Sequence, residues 1–338
     1  MKGILNILKK DKKKLILIIC IISVLFISTF TYINMTNPTK LNKFLAEVSG
    51  GPANPAFDDQ KFYNAIVDEY NKENNTSLPY TINLTDEQLQ TITTLDIIYY
   101  YKISSINGIE KLISLESLEI NEDNGNLTNI DLSHNTALKS LNIYNAKLNA
   151  IDLSHNTALT EVYLNDNNLI SIDLSHNTAL TSLALAGNNL TNIDLSHNTA
   201  LKSLNLADNK LITIDLNHNI NLIKLVLYRT KLTSIDLSHN TALTDLNLSW
   251  NNIASIDLSH NTLLTSLSLS ENNISTIDLS HNTALTYLAL SNNSLSTIDL
   301  SHNTALTTLY LSNNRLSTID LSYNTRLNNL NLANITLY

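Results

Sequence analysis

The 338-residue chain has one cysteine, Cys20, so no disulfide can form within it and none can hold its fold together. It has only six glycines, no glycine-rich calcium loop, and no nucleophile elbow of the kind that presents a hydrolase serine. Cations are scarce over most of the chain. Six lysines fall in the first fourteen residues, which leaves 15 Lys and Arg against 29 Asp and Glu beyond residue 34, a net −14. That balance argues against nucleic acid and acidic polymers as partners of the main body.

What fills the chain instead is repetition. Ten segments beginning at Ile130, Ile151, Ile172, Ile193, Ile214, Ile235, Ile256, Ile277, Ile298 and Ile319 restate one 21-residue unit without insertion or deletion, as in IDLSHNTALTSLALAGNNLTN from Ile172 to Asn192. A period held this strictly makes each unit one coil of a stacked solenoid. From Leu180 the recurring positions are Leu180, Leu183, Leu185, Asn188, Leu190, Ile193, Leu195 and Asn198. The LxL pair alternates at the period of a strand, with both leucines inward and the residue between them outward. One coil cannot bury its own apolar set, but coils stacked about 4.8 Å apart can. Six apolar side chains per unit, at roughly 1.5 to 3 kcal/mol each when fully buried, outweigh the ordering entropy only when summed over many coils. Asparagine recurs at the Asn188 position and, in all ten units, at the Asn198 position. A short amide carrying donors and an acceptor can satisfy the backbone groups of an interior turn, so these asparagines are expected to be structural.

The spacing LxLxxN followed by a second φDLxxN resembles bacterial leucine-rich repeat proteins, and its nested form resembles the IRREKO class of such repeats. Just upstream, ISSINGIEKLISLESLEI from Ile103 to Ile120 resembles the wording of internalin-like surface proteins of Gram-positive bacteria. The resemblance runs from about residue 95 to 338. It implies an α/β solenoid, mostly strand and coil and right-handed, that binds protein or glycan partners rather than catalysing a reaction; fold alone does not fix activity.

The N-terminus reads as a basic cytoplasmic segment over 1–14, then an uncharged run over 15–33. As a helix at 1.5 Å per residue that run spans about 28 Å, close to a bilayer's hydrocarbon thickness. The preceding lysines place everything beyond it outside the cell, either on a single-pass anchor of the plasma membrane or, in the alternative, secreted after cleavage of a signal peptide. Cys20 follows Ile19 where a lipoprotein signal calls for a small residue, and reads as apolar filler. Residues 34–55 form a linker and 56–94 a helical cap. Within the cap an amphipathic helix is expected over Asp58 to Asn71, and a second opens at Thr85 with a Thr85–Gln88 capping box. Residues 95–129 make the internalin-like repeat and 130–338 the ten regular units. No sorting motif of the LPxTG kind is present. The last unit carries Tyr323, Arg326, Asn328 and Asn329, and fraying or end-to-end association is expected there.

Every unit except those from Ile214 and Ile319 brings Asp, Ser and His within four residues, such as Asp194, Ser196 and His197, but so many copies argue against a unique active site. No catalytic residue, cofactor or metal site is assigned. The aspartates from Asp131 to Asp320 are expected to point outward from a second, convex strand, each neighbouring pair costing on the order of 1 kcal/mol in water. They stand beside a histidine row from His134 to His302. Rows of carboxylate and imidazole could hold Ca²⁺ or Zn²⁺ between coils, but an Asp can equally accept a backbone N–H in a turn.

Partner information should lie where the repeat departs from itself. Most outward positions around the LxL pair are small, for example Ser182, Ala184 and Ala186, or Ser266, Ser268 and Ser270. The unit from Ile214 instead displays Lys224, Val226, Tyr228 and Arg229, and the next adds Trp250, the only tryptophan, at the Arg229 position. These five are the predicted concave-face binding residues, being of types enriched at binding hot spots. Tyr144, Tyr163, Tyr287 and Tyr310 lie apart from them on the same face. A structural or self-associating spacer without an external ligand is the alternative.

Overall fold

Strand residues alternate in burial along most LxL segments, and the strands join in one continuous sheet. The computed structural model describes residues 56–97, 103–121 and 127–335. Its strands are β1 (Thr94–Ile97), β2 (Ser117–Asn121), β3 (Ser140–Tyr144), β4 (Glu161–Tyr163), β5 (Ser182–Ala184), β6 (Ser203–Asn205), β7 (Lys224–Val226), β8 (Asp245–Asn247), β9 (Ser266–Ser268), β10 (Tyr287–Ala289), β11 (Thr308–Tyr310) and β12 (Asn329–Asn331). They pair in parallel and in chain order, Leu against Leu, as in Leu183 on Leu204 and Leu204 on Leu225. The basic segment 1–14, the expected membrane helix 15–33 and the linker 34–55 lie outside the described residues. Among the described residues, no helix is long and apolar enough to cross a membrane.

Behind the sheet the leucines form a single core. In one coil Leu180, Leu183, Leu185, Leu190 and Leu195 are all buried. The sixth apolar position departs from expectation, since Ile193 and its repeats from Ile151 to Ile319 are only partly buried. The reason is local. The chain on this side of the coil makes successive turns rather than a second strand, so the isoleucine lines a groove between coils instead of filling the centre. The expected convex strand is therefore corrected to a turn: Asp194 Oδ1 accepts the amide of Ser196 at 2.9 Å, and the same bond recurs from Asp131–Ser133 to Asp320–Ser322. A short carboxylate that can bond the backbone two residues on favours this turn over an extended segment.

Two asparagine ladders carry the interior turns. Asn198 donates both Nδ2 hydrogens, to Leu174 O at 3.0 Å and to Asn177 O at 2.9 Å in the preceding coil, and Asn219 does the same to Leu195 and Asn198. The series runs from Asn135 to Asn324, and all ten are buried. Their Oδ1 atoms have no hydrogen-bond partner, so the two donors alone hold each rung. In the second ladder both ends of the amide work. Asn209 Oδ1 accepts from Leu190 N at 2.9 Å, while its Nδ2 donates to Leu185 O and Leu206 O.

The N-terminal end is closed by α1 (Gln60–Asn74) and the short α2 (Asp86–Leu89), which has the Thr85–Gln88 capping box. Helix α1 starts two residues later than expected, because Asp59 is its N-cap and accepts from Lys61 N and Phe62 N. The other Asp59 oxygen takes the Ser104 amide and hydroxyl, which ties the cap to the first coil. Burial pushes the Asp59 carboxyl up, but the bonds from Ser104, Phe62 and Lys61 outweigh it and hold the group below its usual range. Glu73 Oε1 accepts from the amides of Thr93 and Thr94, which satisfies donors at the open edge of β1. Gly108, at φ 103, is required here: a Cβ would stand 2.2 Å from the Phe57 ring.

Replacing one rung tests this account. Asn198→Ala removes the inter-coil donor from the carbonyls of Leu174 and Asn177, which keep only the turn amides of Asn177 and Leu180, at about 1 kcal/mol for each lost bond. The expected result is a lower melting temperature together with faster amide exchange concentrated in the two adjoining coils. A uniform loss along the whole solenoid would contradict a local role for each rung.

Candidate binding surface on the sheet face and its rim

Past each short strand the chain turns in a left-handed residue, and these residues form a column. Asn145, Asp166, Gly187, Asp208, Arg229, Trp250, Glu271, Asn292, Asn313 and Asn334 all have φ between 50° and 67°. Asn, Asp and Gly are at ease there; Arg and Trp are not. The conformation is locked across coils, with Asp208 N donating to Tyr228 O at 2.8 Å, Arg229 N to Ser249 O at 3.0 Å and Trp250 N to Ser270 O at 2.9 Å.

This column settles where the five predicted residues stand. Lys224 is exposed and Val226 half-buried on the outer face of β7, and Tyr228, two residues on, is half-buried beside them. Arg229 and Trp250 do not share that face. The left-handed turn breaks the strand alternation just before them and carries both to the rim, where Trp250 is 53 % exposed. In the folded chain these two stand just past the strands, at the edge of the sheet. The Arg229 guanidinium lies 6.0 Å from the Tyr228 ring centroid, and its Nη1 is 3.2 Å from Asp208 Oδ1 one coil earlier. On the strand, Lys224 stands in register with Ser203 on one side and Asp245 on the other.

A rim cavity of about 440 Å³ collects residues that sequence reading left out. Its lining includes Asp208, Lys210, Arg229, Lys231, Trp250 and Asn252. The available signal was the 21-residue column, since Lys210 and Lys231 are the same position in consecutive units. Under the cavity the second ladder is interrupted. Thr230 replaces asparagine, and its hydroxyl bonds Leu227 O at 3.1 Å and Asn251 Oδ1 at 2.7 Å. The tyrosines elsewhere are engaged locally: Tyr287 and Tyr310 meet edge to face at 5.8 Å, Tyr163 bonds Ser182 Oγ, and Tyr310 receives Asn329 Nδ2.

On the turn face, the Asp and His rows line grooves such as the one bounded by Ile172, Asp173, Ser175, Ile193, Asp194 and His197, about 430 Å³ in volume. Each serine Oγ lies 3.2 Å from Nδ1 of the next histidine, as in Ser175 and His176. Among the described residues, no group of three or more His, Cys, Asp or Glu is gathered so that it could hold a metal ion. The amide and hydroxyl of the following serine hold the carboxyls of Asp152, Asp173, Asp194, Asp236, Asp257, Asp278, Asp299 and Asp320 below their usual range, and at Asp131 the Ser133 hydroxyl leads. The hydroxyl also faces histidine Nδ1 and can donate in only one direction at a time, so the amide is the fixed contact.

Comparison with known proteins agrees with this architecture. Models described as leucine-rich repeats match residues 176–196, 197–213, 239–259, 260–280 and 305–334. The functional domain of InlJ from Listeria monocytogenes is similar at 35% identity with a TM-score of 0.78, over 84% of this chain and 61% of that one. This chain thus spans about three fifths of that structure. An internalin of the same organism, InlF, is similar at 27% identity with a TM-score of 0.66, over 85% of this chain and 93% of its own. A leucine-rich repeat protein of Leptospira interrogans shares the fold at 24% identity with a TM-score of 0.69, over 77% and 71%. No curated protein matches the chain. The InlJ domain includes a cysteine ladder; here the ladders that run along the coils are asparagine.

The lowered carboxyls set an acid dependence. A carboxyl whose folded pKa lies below its ordinary value of 3.8 contributes stability that is complete above that value and is lost as pH falls through the folded value. Melting temperature is therefore expected to hold near pH 5 and to drop below about pH 4. Asp173→Asn with Asp194→Asn keeps the acceptors without titrating them, and should make the acid slope shallower. An unchanged slope would place the acid sensitivity elsewhere.

Proposed function

From a leucine-rich repeat chain with an internalin-like fold, we propose a cell-surface interaction module of a Gram-positive bacterium, with residues 15–33 as its membrane anchor and a protein or glycan as its ligand. The observation that carries this reading is the grouping of Lys224, Val226, Tyr228, Arg229 and Trp250 on two adjacent coils of a repeat whose other outward positions are mostly small or polar. Arg229 and Trp250 occupy left-handed backbone where Asn, Asp or Gly would fit at lower cost, and such residues persist chiefly where function retains them. Large side chains set on a rigid sheet also lose little freedom on binding. An adhesive role toward host or neighbouring cells follows from that display, and it requires no catalytic group or cofactor.

Capture of a partner from surface extracts by the full chain tests the reading. Trp250→Ala or Arg229→Ala should weaken binding by about 2 kcal/mol or more, whereas His260→Ala on the turn face should leave it unchanged. Loss with His260→Ala alone would move the binding site to the other side of the solenoid.

Topology has its own check. Protease added to intact cells should digest the repeats and leave a short protected N-terminal fragment. A released ectodomain would instead identify residues 15–33 as a cleaved signal.

A further inference from the structure

We infer that the rim cavity beside Trp250 is a subsite for a terminal carboxylated sugar residue of a glycan. This rests on the reading that these coils form the binding surface, and it specifies the chemistry that the surface accepts.

The charge distribution is the first support. Of the twelve Lys and Arg among the described residues, five fall in the two units that begin at Ile193 and Ile214: Lys202, Lys210, Lys224, Arg229 and Lys231. The same units hold three acidic residues, and two of these, Asp194 and Asp215, sit in the turns of the opposite face. Only Asp208 is left to oppose the cations at the rim, and it pairs with Arg229. Lys210 Nζ donates to Asn189 Oδ1 at 2.7 Å, and Lys231 has no ion-pair partner among the described residues. A chain that is strongly acidic elsewhere therefore carries one compact cationic spot. Its limits are set by the left-handed column itself, with Glu271 one coil beyond Trp250 and Asp166 two coils before Asp208. A polyanion laid along the solenoid would meet those carboxylates; one carboxylate at a chain end would not.

The cavity supplies the rest. Its volume of about 440 Å³ lies low in the usual range for small-molecule sites, about 300–1,000 Å³, which suits a sugar ring or two rather than a folded element of a partner. Strands β7 and β8 are paired on both sides, so an extended peptide finds no free edge to join. The exposed indole of Trp250 offers a flat apolar surface for the C–H face of a sugar, the Asn252 amide can donate to and accept from hydroxyls, and Arg229 and Lys231 can pair with a carboxylate. The backbones of Arg229 and Trp250 are already fixed by their inter-coil bonds, so the wall is preformed.

Trp250 is the only tryptophan of the chain, so the full-length protein reports on this site through its own fluorescence. Titration with sialyllactose or a glucuronate-terminated oligosaccharide should give a saturable change, lactose should give none, and salt should weaken the response. Arg229→Ala and Lys231→Ala should each reduce the affinity at least tenfold, while Lys139→Ala, paired with Glu116 at the far end of the repeats, should not alter it. An equal response to lactose would overturn the role of the carboxylate, and an equal response to triglutamate would overturn the role of the sugar. If acidic sugars leave the fluorescence unchanged while partner capture still depends on Trp250, the sugar inference falls and the interaction reading stands.

Discussion

The chain must turn inside the molecule once per coil, and a turning backbone leaves carbonyls without strand partners. Everything else in the solenoid depends on the asparagines that donate to them. Asn198 reaches back one coil to two carbonyls with its two hydrogens, and its own carbonyl is covered in the same way by Asn219. Each of these carbonyls already accepts one amide within its own turn, as Leu174 O does from Asn177 N, so the rung adds the bond between coils that the turn cannot supply. The rungs also fix the spacing. Because each amide links equivalent positions 21 or 24 residues apart, an insertion of one residue would break two bonds and slip the Leu-on-Leu register of the sheet.

The same geometry explains how variation is confined. Leucines face the core and asparagines hold the turns, so only the outer strand positions, the left-handed column and the turn face are free to change. On the turn face little has changed: Asp, Ser and His recur almost without exception, held by one local hydrogen bond per unit. The left-handed column is where chemistry accumulates, because its side chains leave the sheet at the rim without disturbing any ladder. Trp250 and Arg229 sit there with normal inter-coil amide bonds beneath them. Thr230, next to Arg229, interrupts the second ladder between Asn209 and Asn251, and Asn251 of the following coil takes up its hydroxyl.

The cap solves a different problem. A solenoid's first strand would expose a row of amides, and α1 meets it with Glu73 while Asp59 binds the loop that carries Ser104. At the other end of the described residues β12 pairs only with β11, and Leu330 is 46 % exposed. The two ends of the sheet are therefore physically unlike.

Much of this was legible from the sequence because a solenoid is nearly one-dimensional: contacts join a residue to its counterpart one period away, so the 21-residue spacing of Leu and Asn already states who meets whom. The parallel order, the buried leucines, the structural asparagines and the Thr85 capping box all follow from local pattern. What the spacing could not state is direction. Whether the IDL segment forms a strand or a turn depended on whether Asp194 bonded its own backbone, and that left Ile193 half-buried in a groove. Periodicity put Arg229 and Trp250 beside Lys224 in register, but the positive φ of their column sent them to the rim. There they met Asp208, Lys210 and Lys231, neighbours in adjacent coils that only the folded backbone brings around one cavity, because a single left-handed residue turns a side chain away from the face that strand alternation assigns it.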